Sequence, residues 1–132
     1  MFKVARRTIA DNEPFVYLKG AESLTLGMAV KLASGQLTKC GSTDKPTHII
    51  MGPMRADGTY PAIAVVDTSI FETTSQAQVA ETAIGSAVTL GTDALSVTAS
   101  TTSGVFKVLE TDAASPNSTV RGIFVESAAA AG

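Results

Sequence analysis

The chain has 132 residues, 17% of them charged and 5% aromatic, with a formal net charge of −2. That length suits one domain with an ordinary core, and the acidic balance offers no basic field to hold nucleic acid. The single cysteine, Cys40, excludes an internal disulfide and a cysteine-rich metal site, and no apolar run approaches the roughly 18 residues of a membrane-spanning helix.

Tryptophan is absent, so the composition predicts a core of Ala, Val, Ile, Leu and Thr. At about 25 cal/mol per Å² of apolar area, small side chains stabilise less than a Leu/Phe core would. This favours a protein steadied by self-association or by docking on a partner.

Residues 1–20 differ from the rest. Phe2 and Val4 are apolar at period two, interleaved with Lys3 and followed by Arg6 and Arg7. No apolar stretch follows them, so a secretory signal is not expected. Asp11-Asn12-Glu13-Pro14 is a turn signal, and Phe15-Val16-Tyr17-Leu18 is strand-like. A basic segment on an acidic body reads as an extended arm that adds a strand to a neighbour. Its contact candidates are Phe2, Lys3, Val4, Arg6 and Arg7.

Residues 21–126 read as one β domain, and 127–132 as a frayed tail. Within the domain, Gly27-Met28-Ala29-Val30-Lys31-Leu32 matches Gly85-Ser86-Ala87-Val88-Thr89-Leu90 at an offset of 58 (85 − 27). Leu37 and Leu95 keep that offset, as do His48-Ile49-Ile50 and Phe106-Lys107-Val108. Ala62-Ile63-Ala64-Val65 falls on Gly122-Ile123-Phe124-Val125 at an offset of 60 (122 − 62). Alternating pairs such as Val88 and Leu90, or Phe106 and Val108, have the period of a strand with one buried face. The reading is two four-strand units, 27–66 and 85–125, forming an all-β barrel or sandwich.

In the first unit, Ser34-Gly35 and Asp57-Gly58 mark tight turns, while Pro53 and Pro61 suggest an exposed edge. Ala62 to Asp67 is almost unbroken apolar sequence and predicts a strand buried on both faces or at a subunit contact. Ala62, Ala64 and Val66 are the self-association candidates. Between the units, residues 76–81 have room for a single helical turn.

Little in the sequence points to chemistry. His48 is the only histidine, and it occupies the apolar position that Phe106 holds in the second unit. No further ligands stand near it at metal-binding spacing, so no metal or other cofactor is expected. The acids are scattered at turns, and no Gly-x-Ser-x-Gly elbow or phosphate-cradling glycine motif is present. Asn117-Ser118-Thr119 fits a glycosylation sequon but reads as a turn.

The segments 27–38, 43–49, 70–74, 85–105 and 120–125 together resemble capsid decoration, or cement, proteins of tailed bacteriophages, of the small all-β "tulip" type. The resemblance implies a non-catalytic virion protein on the capsid exterior, in the host cytoplasm during assembly. Its implied partners are the major capsid protein and copies of itself, most often as a trimer. The strands alone also permit another virion component, such as a tail-tube, minor-capsid or head–tail completion protein. A small-ligand or carbohydrate-binding β module is weaker, because it would want exposed aromatic platforms, and Tyr17 and Tyr60 are far apart in sequence.

Overall fold

The computed structural model describes residues 1–7, 15–66 and 68–127, and only the backbone of Arg6 and Arg7. It is all-β. Ten strands run in chain order: β1 Lys3–Arg7, β2 Val16–Lys19, β3 Ala29–Ala33, β4 Gln36–Lys39, β5 His48–Ile50, β6 Thr59–Ala64, β7 Ser69–Thr74, β8 Ala87–Val88, β9 Phe106–Thr111 and β10 Thr119–Phe124. They form two five-stranded sheets, ordered β2-β6-β5-β3-β4 and β1-β7-β10-β9-β8, with every named pairing antiparallel. A lone parallel bridge curls each sheet back on itself, Gly20 just past β2 to Leu37 of β4 in one and Ser75 just past β7 to Val97 in the other. One bridge is not a ladder, so these are curled sheets of a sandwich rather than a closed barrel.

The sheets repeat each other in topology and register. Ala29 pairs with Ile49 and Val30 with His48; Ala87 pairs with Lys107 and Val88 with Phe106, each partner 58 residues on (87 − 29, 107 − 49). His48 pairs with Ala64, and Phe106 with Phe124, 58 and 60 residues on (106 − 48, 124 − 64). Thr47 N donates to Val30 O at 2.9 Å as Val105 N does to Val88 O at 3.0 Å. Gly27 and Gly85 open the two units at φ +82° and +93°, a left-handed conformation that L side chains adopt only with strain. The match also fixes two counterparts outside the predicted units. Tyr17 pairs with Pro61 and Glu72 with Arg121, so β7 stands to β10 as β2 stands to β6.

One correspondence shifts. Leu32 pairs with Leu37, but Leu90 pairs with Val97, so the second hairpin is two residues longer (97 − 90 against 37 − 32). Leu37 therefore corresponds to Val97, not to Leu95. Both Leu37 and Val97 are fully buried, whereas Leu95 is only partly so. The first hairpin turns at Ser34 and Gly35, both at positive φ, the backbone of a two-residue turn that matches strand twist.

Three further expectations change. The helical turn lies at Glu81–Ala83, meeting the expected 76–81 only at Glu81. Pro61 sits inside a sheet, with β6 between β2 and β5. It is tolerated because its C=O accepts Met51 N at 2.8 Å just past the end of β5, so its missing N–H falls beyond the β5–β6 ladder. The core is also not all small residues. Phe2, Phe71, Phe106 and Phe124 form one cluster with ring centroids 5.1–5.6 Å apart, in the tilted and edge-on arrangements aromatic rings prefer.

The N-terminal arm is the main correction. Residues 3–7 do not leave the body: they are the edge strand beside β7, with Lys3 opposite Glu72 and Val4 opposite Phe71. Phe2 is 1% exposed, and its N–H donates to Gly27 O at 2.9 Å. Two interleaved apolar residues look alike whether a partner or the chain's own core receives them. Here the aromatic cluster receives Phe2. The turn expected at 11–14 and the tail beyond 127 lie outside the described residues.

Candidate interaction surface

The predicted contact residues separate once placed. Phe2 is core, and Val4 is half-buried against the core. Lys3 remains at the surface, but its ammonium pairs with Glu72 at 2.9 Å. Arg6 and Arg7 lie opposite Ile70 and Ser69 on the backbone of β1. The self-association candidates separate too. Ala62 is fully buried, Ala64 is exposed, and Val66 is half-buried beyond the strand. The expected unbroken apolar strand ends at Ala64, with only its middle covered on both faces.

Lys3 belongs to a row of alternating charge across four strands. Lys3, Glu72, Arg121 and Glu110 are direct cross-strand neighbours on β1, β7, β10 and β9. Arg121 Nε donates to Glu72 at 2.8 Å, and its Nη1 reaches Glu110 at 3.4 Å. Hydrogen bonds from Lys3 and then Arg121 hold the Glu72 carboxyl below its ordinary pKa. An open concavity of about 370 Å³ lies over Glu72, Glu110, Asp112 and Arg121. Opposite charges facing across strands stabilise a sheet, and this row is satisfied within itself.

The polar residues singled out earlier have structural surroundings. Cys40 is 1% exposed, and burial pushes its thiol up to about 12. His48 is half-buried, its Nδ1 is 2.8 Å from Thr47 Oγ1, and burial lowers its pKa. Asn117 donates to Ser75 O at 2.8 Å. Among the described residues, no three His, Cys, Asp or Glu side chains group as a metal site.

The surface that stands out is the outer side of β2. Of the five phenylalanines, four are in the aromatic cluster, and the fifth, Phe15, is 41% exposed at the start of β2. Val16 and Tyr17 follow at 38% and 48%, and Met54 is 60% exposed. Arg55, beside Met54, lays its guanidinium over the Tyr17 ring at 4.4 Å from the centroid, a cation–π contact. Tyr17 lies opposite Pro61, so ring, guanidinium and proline share one outer face. Tyr60 shows the contrast: it is buried, and its hydroxyl accepts Leu24 N at 3.1 Å. The sequence signal for this surface is the unbroken Phe15–Leu18 run. A strand with one buried face alternates, so four apolar residues in succession require cover on a second side.

No protein-family model, curated protein or solved structure matches the chain.

Proposed function

We propose that the chain is a structural protein of a virion, which docks on the outside of a capsid and ties neighbouring major capsid subunits together without catalysis or a cofactor. The observation that carries this is the surface around β2, where Phe15 and Tyr17 are large and exposed on an end strand and Met54 is exposed in the loop that carries Arg55 over Tyr17. Exposed apolar clusters of this kind mark protein-binding surfaces. Tyr17 under Arg55 has the residue types that concentrate binding energy at interfaces. The likeness of segments 27–38 and 85–105 to phage decoration proteins supplies the partner class. The contact moves from the N-terminal segment to β2, because Phe2 is in the core.

The test is co-sedimentation of the purified chain with empty heads assembled from the major capsid protein of the same genome, followed by cryo-electron microscopy. Saturable binding is expected, with density on the outer surface between subunits. Phe15→Ser combined with Met54→Ser should weaken occupancy at least about tenfold, the equivalent of 1.4 kcal/mol. It should leave the melting temperature nearly unchanged, since both side chains are already exposed. Full occupancy by the double variant, or density confined to the tail, would overturn the reading.

A further inference from the structure

We infer that the two units seat on two copies of one partner surface through a contact that the repeat provides twice: the exposed side chains of Leu26 and Ile84. The inference rests on the capsid reading for the partner's identity and adds how one chain holds two subunits.

Leu26 and Ile84 stand immediately before the left-handed glycines that open the units, 58 residues apart (84 − 26). The turns around them are the same turn. Met28 N donates to Thr25 O at 3.0 Å, and Ser86 N to Ala83 O at 2.9 Å. Ile84 has φ −60° and ψ 128° and Gly85 follows at φ +93°, the two central residues of a type II turn. Each turn is also pinned to the same place in its sheet. Gly27 N donates to Ile50 O at 2.7 Å, and Ile50 N to Met28 O at 3.1 Å. Gly85 N donates to Val108 O at 2.8 Å, and Val108 N to Ser86 O at 2.9 Å. Both side chains therefore stand on corners that are already ordered, which lowers the cost of binding.

The fold accounts for the glycines but not for the aliphatic residues before them. A type II turn requires positive φ at its third position and favours Pro at its second, and Gly, Pro, Asn, Asp and Ser dominate turns in general. Here the second position is Leu in one unit and Ile in the other, and each is 47% exposed. The flanking residues differ, with Thr25 matched by Ala83 and Met28 by Ser86, so the shared aliphatic is not part of a general likeness of the two turns. The exposure of other large side chains is not repeated. Leu32 is 43% exposed, but its counterpart Leu90 is 0% exposed, and the counterpart of the exposed Tyr17 is the charged Glu72.

A side chain that both units present and neither core uses fits a partner that meets both units. The same chemistry on the same corner calls for the same apolar socket twice, and two identical subunits supply it. The surface around β2 belongs to the first unit alone. The first unit then docks through β2 and Leu26, and the second reaches the neighbouring subunit through Ile84. Two linked contacts hold more tightly than either alone.

The test uses the full chain and empty heads of the same genome. In the cryo-electron microscopy map of decorated heads, Leu26 and Ile84 should touch the same capsid-protein residues in two neighbouring subunits. Leu26→Ser and Ile84→Ser should each raise the concentration for half occupancy at least about tenfold, from the loss of one buried aliphatic side chain. Both should keep the melting temperature of the free chain, since serine suits an exposed turn. Leu32→Ser, similarly exposed but without a repeated counterpart, should leave occupancy unchanged. Wild-type heads in which the two side chains touch different capsid residues, or in which one touches none, would overturn the inference and leave the capsid reading standing. So would wild-type affinity in either turn variant, or an equal loss in Leu32→Ser. Heads that take up no wild-type chain would overturn both.

Discussion

Phe2 shows how one side chain decides between two readings of a segment. Its ring lies 5.6 Å from Phe106 and 5.1 Å from Phe124, so Phe2→Ala would leave a cavity in the largest aromatic cluster of the chain. Such truncations cost about 3–5 kcal/mol, and urea denaturation should show a loss of that size. An exposed arm would show none. His48 carries a pH signature. Burial lowers its pKa from 6.5, so the unfolded chain binds the proton more tightly than the folded one. Stability should therefore fall as the pH drops below about 6.5 toward the lower folded value, and His48→Gln should flatten that part of the melting-temperature profile. An unchanged slope would remove His48 as the cause.

The charge row belongs to the scale of elements. It joins four strands through Glu72, whose side chain is only 15% exposed against 58% for Lys3 and 42% for Arg121. Surface pairs are worth about 0–1 kcal/mol each. Glu72→Gln should accordingly cost no more than about 1 kcal/mol, and less at 1 M salt, where screening shortens to about 3 Å. The Glu72 pKa is depressed, so its contribution is present above the ordinary value of 4.5 and lost as the pH falls through the folded value. Melting curves at two salt concentrations check both.

Several elements were legible in the sequence because they repeat a two-residue period beside turn residues. Gly27 to Leu32, the Ser34-Gly35 and Asp57-Gly58 turns, and the 58-residue offset all fall where the structure has matching strands and registers. What was hidden depends on partners in space. β1 carries the pattern of any amphipathic edge strand, and nothing in Lys3, Arg6 or Arg7 says that β7 is its neighbour. Pro61 looked like an edge marker because the sequence does not show that β5 stops short of it. The open face of β2 was legible only as a run without alternation. That its counterpart on β7 is covered emerges from the register.

At the scale of the whole molecule, the two units share a topology but not a surface. In a strand, successive side chains point to opposite faces. Ile49 and Ile50 are both fully buried, and so are Ala62 and, at 2% exposure, Ile63. The middle of the first sheet is therefore covered on both sides. On the second sheet the positions matching Ile49 and Ile63 are Lys107, exposed, and Ile123, half-buried, so that sheet has a face toward water. The first unit consequently depends on the rest of the chain for one of its faces. Main-chain bonds tie the units as well: Ala29 N donates to Ala94 O at 2.8 Å, and Leu90 N to Ser42 O at 2.9 Å. A fragment of residues 15–66 would expose Ile49 and Ile63, and losing the burial of each large aliphatic side chain costs about 1.5–3 kcal/mol. Two such losses consume much of the roughly 5–15 kcal/mol that stabilises a typical domain. The fragment should therefore give a collapsed amide region in its proton NMR spectrum and no cooperative melt. The intact chain should melt in one transition, with calorimetric and van't Hoff enthalpies that agree. A fragment that melts cooperatively would show that the units are separate domains, and that the second face of the first sheet needs no cover.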